Sequence, residues 1–90
     1  SLIQKQWEER DNQLYKAVIF KDFQEAFTFI IRVAFLAEKI NHHPKWTNEY
    51  NKVEICLCTH ELGNIITDKD IAMAKQIDEI LSVEGHGGPA

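Results

Sequence analysis

The chain alternates before it does anything else. From Gln13 to Phe20, Leu14, Lys16, Val18 and Phe20 share one parity, and Tyr15, Ala17 and Ile19 share the other. With its aromatic and β-branched content this predicts a strand. The residues around Trp7 to Arg10 supply a hairpin partner, and Asp11-Asn12 supplies the turn, because asparagine accepts left-handed backbone geometry. The period then changes. Asp22 is a good helix N-cap and Glu25, three residues on, completes a capping-box-like pattern. Phe23, Phe27, Ile30, Ala34 and Ala37 form one apolar stripe at helical spacing. Phe29, Ile31, Val33, Phe35 and Leu36 are apolar as well. A helix that is greasy on nearly every face is covered on more than one. A sheet covers one face, so a second subunit is expected on another.

The helix stops near Asn41, because Pro44 lacks an N–H and disfavours helical geometry at His43. Residues 41 to 45 are expected as a tight extended connection. Trp46 to Tyr50 reads as a short strand and Asn51-Lys52 as a turn. Val53 to His60 is the best strand in the chain, with Val53, Ile55, Leu57 and Thr59 facing one way and Glu54, Cys56, Cys58 and His60 the other. Gly63-Asn64 is a turn. Thr67 caps a second helix, with Asp70 as its acidic partner. Ile71, Ala74, Ile77, Ile80 and Leu81 form the core stripe of that helix, and Gly85 ends it. The order strand–strand–helix–strand–strand–helix predicts an α+β fold, a four-stranded antiparallel sheet with helices packed on one face. Residues 1–84 are expected as one domain and 85–90, including His86, as a flexible tail.

With 90 residues, a chain like this buries only about 60–65% of its unfolded surface, which again favours an oligomer. The net charge of −4 argues against direct nucleic-acid binding, which needs a basic patch. No apolar run approaches the roughly 20 residues that span a bilayer, and Arg32 interrupts the longest. Lys5, Glu8, Glu9 and Arg10 break up the N-terminus too early for a secretory leader. Cys56 and Cys58 lie two apart in a strand, a poor geometry for bonding to each other. As free thiols they fit a reducing cytoplasm.

Three of the four histidines carry the candidate chemistry. His42 and His43 are adjacent and pinned by Pro44, and in extended chain their side chains diverge. His60 ends a strand, where side chains reach a pocket rim. An imidazole with an ordinary pKa of about 6.5 gives or takes a proton near neutrality. A zinc site of His42, His43 and His60 is disfavoured, since adjacent imidazoles turn awkwardly to one ion and no acidic or Cys ligand joins at an established spacing. Taken singly, the histidines read more readily as structure than as chemistry: His42-His43-Pro44 as a polar helix exit and His60 as a backbone contact.

The full constellation shifts that balance. Glu38, then His42-His43-Pro44, Tyr50, His60 and Asp70 resemble the signature of the pterin-4a-carbinolamine dehydratase family, also called the dimerisation cofactor of a homeodomain transcription factor. Phe20-Lys21-Asp22-Phe23, Ala37 through Trp46, Asn51-Lys52-Val53 and Thr59-His60 are similar to it too, so the resemblance runs from Trp7 to about Leu81. It departs in a loop between His60 and Asp70 one residue longer than in many relatives, and in Glu54 where some carry histidine. The resemblance implies a dimer or tetramer that dehydrates 4a-hydroxytetrahydropterin to quinonoid dihydropterin with no metal or redox cofactor, in tetrahydropterin recycling beside an aromatic amino acid hydroxylase. It implies His42 and His60 as general acids, His43 as base or binding group, and Glu38, Pro44, Trp46 and Tyr50 as substrate-binding residues; Glu38, one turn before His42, alternatively orients that histidine, and Trp46 and Tyr50 are as readily core or interface packing. Asp70 is then structural or supporting. A rival class is an interaction module that stabilises another protein's dimer through exposed helix surface, and a third is another pterin pathway on the same fold.

Overall fold

The computed structural model describes residues 3–4 and 6–87, with side chains described from 6 to 82. In chain order it contains β1 (Ile3–Gln4), β2 (Glu8–Arg10), β3 (Gln13–Ile19), α1 (Phe23–Ile40), β4 (Lys45–Glu49), β5 (Lys52–Leu57), a 3-10 turn at His60–Leu62, and α2 (Asp68–Gly87). All strand pairs are antiparallel. β1 and β2 lie end to end along one edge of β3, β5 lies on its other edge, and β4 lies outside β5. The sheet is therefore four strands wide, and both helices pack on one face of it, in the expected order.

Local chemistry sets the turns. Asp11 and Asn12 take φ of 53° and 63°, the left-handed pair that joins β2 to β3. Asp22 accepts the Glu25 N–H at 2.9 Å, and Glu25 reaches back to the Lys21 N–H at 3.0 Å. Asn41, with φ of 54°, ends α1. The β4–β5 turn falls at Tyr50-Asn51, one residue before the expected Asn51-Lys52, and puts Tyr50 at φ of 52°. Asn51 fixes that register: its side chain donates to the Phe20 carbonyl at 3.0 Å, while its own carbonyl accepts the Phe20 N–H at 2.8 Å.

The core lies between one sheet face and the helices. Val18, Val53, Ile55 and Leu57 meet Ala26, Phe29, Val33 and Ala37 of α1, and Met73, Ile77 and Leu81 of α2. The buried stripe of α1 is thus Ala26-Phe29-Ile30-Val33-Ala37, which corrects the expected Phe23-Phe27-Ile30-Ala34-Ala37. With two apolar stripes available, the one carrying small residues lets the helix approach closely. Phe23, Phe27, Ile31 and Phe35 form an exposed apolar ridge, with Phe35 73% exposed. In α2 the buried positions include Asp70 and Met73, so Ile71, next to Asp70 around the helix, is turned outward rather than into the core. α2 runs past the expected stop at Gly85 to Gly87, since an interior glycine costs a helix only about 1 kcal/mol. Residues 88–90 of the expected tail lie outside the described residues.

Lys16 is only 3% exposed although it sits on the core face of β3. Its ammonium lies 2.6 Å from Asp78 Oδ1, and Trp7 Nε1 donates to the same oxygen at 2.9 Å. A buried ammonium without such a partner would cost several kcal/mol.

Candidate active site

The exit from α1 builds the site. Past Asn41 the chain runs without helical structure through His42, His43 and Pro44 into β4. In such a segment side chains alternate in direction. His42 points inward and is 6% exposed, whereas His43 and Lys45 are exposed. His42 Nε2 lies 2.6 Å from Oδ1 of Asp70, which is fully buried. The other carboxylate oxygen accepts the Thr59 hydroxyl and the Thr67 N–H, both at 2.8 Å. Burial acts to raise the Asp70 carboxyl, but hydrogen bonds from His42, Thr67 and Thr59 outweigh it and hold it below the ordinary carboxylate range. Asp70 is therefore an ionised acceptor, so the His42 proton resides on Nε2. Through the Thr67 N–H the same carboxylate starts α2, as the reciprocal half of a capping box.

His43 and His60 face a cleft of about 310 Å³ at one end of the sheet's open face. That is near the lower limit for a small-molecule site. His43 Nε2 lies 2.6 Å from Glu38 Oε2, and His60 Nδ1 lies 2.6 Å from Asn64 Oδ1. Each acceptor takes the N–H, which leaves Nδ1 of His43 and Nε2 of His60 as the nitrogens without these partners. Lys45, Cys56, Cys58, Gln13 and Asn64 complete the walls. Burial pushes both thiols up, against the pull of the Lys45 ammonium, so both stay protonated and neutral. A second hollow of about 440 Å³, lined by Thr59, Glu61, Leu62, Thr67, Asp68 and Lys69, has no histidine on its walls.

Beside the cleft, Tyr15 donates to Glu54 at 2.5 Å under the Arg10 guanidinium, 3.8 Å from its ring centroid. The Tyr15 and Thr47 hydroxyls hold the Glu54 carboxyl below its usual range.

The structure thus divides the expected constellation. His43, His60 and Glu38 come together around the cleft, with Glu38 on His43 rather than on His42. His42 and Asp70 form a buried pair behind it. Trp46 lies opposite Ile55 and packs on the core, and Pro44 is half-buried between the histidines and β4. Tyr50 is at the far end of the β4–β5 hairpin, 63% exposed and roughly 17 Å along the strand from Lys45 at about 3.4 Å per residue. It does not reach the cleft, because the hairpin tip needs a residue there to make the turn. Among the described residues no group of three His, Cys, Asp or Glu side chains is placed to share a metal ion. Sequence reasoning did not single out Gln13, Lys45 or Asn64. Lys45 carried a signal, since it stands two residues beyond His43 and so on the same side of extended chain. Gln13 carried none without the β3–β5 register.

Comparison with known proteins defines first the kind of molecule. A crystal structure titled as a transcriptional coactivator/pterin dehydratase from Brucella melitensis superposes with a TM-score of 0.78 and 41% identity, covering 82% of this chain and 80% of that one. The fold is therefore that of the small α+β pterin dehydratases. The family model described as Pterin 4 alpha carbinolamine dehydratase matches residues 1–80. The chain belongs to this family of hydro-lyases. A Synechococcus sp. (strain WH7803) protein provisionally named as such a dehydratase is 47% identical over 82% of this chain and 78% of its own length. The Drosophila melanogaster pterin-4-alpha-carbinolamine dehydratase is 49% identical over 72% of this chain, a stretch that is 33% of that longer protein.

Proposed function

We propose that the cleft binds 4a-hydroxytetrahydropterin and that His43 and His60 are its acid–base pair. The observation that carries this is the pair of imidazoles on one cleft, each with one nitrogen held and the other without that partner. In the reaction the C4a–O bond breaks and an N5=C4a bond forms. The leaving hydroxyl takes a proton and departs as water, and N5 gives one up. His60, starting as the imidazolium with its Nδ1–H held by the Asn64 amide oxygen, donates its Nε2 proton to the hydroxyl. His43 is the base, because the Glu38 carboxylate lies against the charge that His43 gains. Each residue ends in the other's starting protonation state, and exchange with solvent resets them. Both histidines are preorganised by a second group, so little rearrangement precedes the proton transfers.

His42 is assigned here as a positioning residue. Its bond to Asp70 fixes residues 41 to 45, and with them the direction of His43. Glu38 acts through His43, and Trp46 supports β4 from beneath. Dehydration in tetrahydropterin recycling, in step with an aromatic amino acid hydroxylase, is the cellular role this chemistry fits. Two free cysteines fit a reducing cytoplasm. Among the described residues no helix is long and apolar enough to cross a membrane. The ridge Phe23-Phe27-Ile31-Phe35 is the surface through which copies associate as dimers or tetramers. That ridge also supports a second reading, docking of a different protein as a coactivator would.

The test is dehydration of 4a-hydroxytetrahydropterin generated in situ. His43→Ala and His60→Ala each lower kcat by about a hundredfold or more, the scale of a positioned acid or base. A folded wild type that does not exceed the spontaneous rate refutes the catalytic assignment and leaves the docking reading.

A further inference from the structure

The cleft has a charge that the dehydration chemistry does not use. Lys45 begins β4, lies opposite Cys56 in the β4–β5 register, and shares a side of the chain with His43. Among the described residues its ammonium has no ion-pair partner. The other wall residues are two histidines, two neutral thiols and the amides of Gln13 and Asn64, so no carboxylate lines the cleft. Three carboxylates beside it are engaged elsewhere, Glu38 with His43, Glu54 with Tyr15 and Thr47, and Asp70 with His42, while Glu61 lines the other hollow. Of the other cations on this sheet face, Arg10 is paired with Glu8 at 2.7 Å, and Lys52 begins β5 on the Glu54 side, away from the cleft walls. A chain of net charge −4 thus presents one uncompensated cation beside its reactive imidazoles.

We propose that Lys45 is a specificity residue for an anionic group, phosphate or carboxylate, carried on the ring substituent of the pterin. The preferred substrate is then a 4a-hydroxytetrahydropterin with an acidic side chain rather than a neutral polyol. This rests on the reading that the cleft binds a pterin. A neutral side chain gains nothing from the ammonium, whereas an anionic one forms the ion pair that the cleft lacks.

The experiment compares three carbinolamines, with a neutral dihydroxypropyl substituent, its phosphate ester, and a substituent ending in a glutamyl carboxylate. Wild type, Lys45→Met and Lys45→Glu are assayed with each. In wild type the KM for an anionic substrate is about three- to fivefold below that for the neutral one, the scale of a solvent-exposed ion pair. The ratio falls with added salt, approaches one in Lys45→Met and inverts in Lys45→Glu. A gain for both anions, or for the phosphate or the carboxylate alone, supports the assignment and tells which anion is read. An identical ratio in all three proteins overturns it. A parallel titration follows quenching of oxidised, unreactive pterin fluorescence, with and without the phosphate. If no carbinolamine is turned over, the dehydratase reading fails while this titration still decides the role of Lys45. Preference of wild type for the phosphorylated pterin, lost in Lys45→Glu, supports it; failure of that pterin to bind wild type overturns it.

Discussion

Replacing Asp70 tests the buried half of the site. The carboxylate accepts from His42, Thr59 and Thr67 and is fully buried. Asp70→Asn keeps its shape but has one acceptor oxygen, so its NH2 must meet a former donor. His42 can relieve that conflict by moving its proton to Nδ1 and accepting at Nε2. What remains is the loss of a charge-assisted bond, about 1.5–3 kcal/mol. Asp70→Ala strands all three donors and leaves a void, for about 3–5 kcal/mol. In a domain of this size each kcal/mol lowers Tm by about 4–8 °C, so the Asn variant melts about 6–24 °C below wild type. The assay is urea unfolding followed by Trp7 and Trp46 fluorescence, at one fixed protein concentration because association adds to stability. Its pH dependence has a definite sign. The native Asp70 carboxyl is depressed, so its contribution is complete above the unfolded value of about 3.9 and is lost as pH falls through the native value. The gap between wild type and Asp70→Asn is full at pH 6 to 7 and closes below about pH 4. A cost for Asp70→Ala below about 1 kcal/mol, or a gap unmoved by acid, refutes the network as described.

Other substitutions separate fold from site. Tyr50→Gly relieves a left-handed backbone position that a bulky residue adopts at a cost, and raises stability by up to about 1 kcal/mol in urea unfolding. Because Tyr50 is remote from the cleft, kcat/KM stays within about twofold of wild type, well under the hundredfold of an acid–base residue. Lys16→Ala leaves Asp78 without its ammonium and a gap in the core, costing about 2–4 kcal/mol, while Lys16→Met fills the gap and costs less than half as much. Phe35→Glu puts a charge in the exposed ridge and shifts sedimentation to a smaller species, whereas an unchanged sedimentation coefficient assigns association to another surface.

Much of the fold is legible because local rules agree with one another. Asp22, Glu25, Asn41 and Pro44 bound α1, and the alternation in β5 orients Val53, Ile55 and Leu57 correctly. The facing of α1 is not legible, since two apolar stripes compete and only packing against the sheet chooses the one carrying Ala26 and Ala37. Burial of Lys16 is equally hidden, because its partner Asp78 lies on the last helix. The site divides the same way. His43 and His60 are marked by sequence, and the inward turn of His42 follows once the chain beyond Asn41 is extended. The remoteness of Tyr50 depends on a hairpin register that slides by one residue, and Gln13 enters only through pairing of β3 with β5.

The cleft is assembled from residue 13, from residues 43 to 45 and from residues 56 to 64, so no short fragment contains it. A ligand seated there favours the whole native chain over any partly opened form. At a hundred times its dissociation constant it adds about 2.7 kcal/mol to global stability. Melting temperature thereby becomes a census of acceptable pterins, read without turnover, and unstable carbinolamines can be replaced by durable analogues in finding which ones this chain prefers.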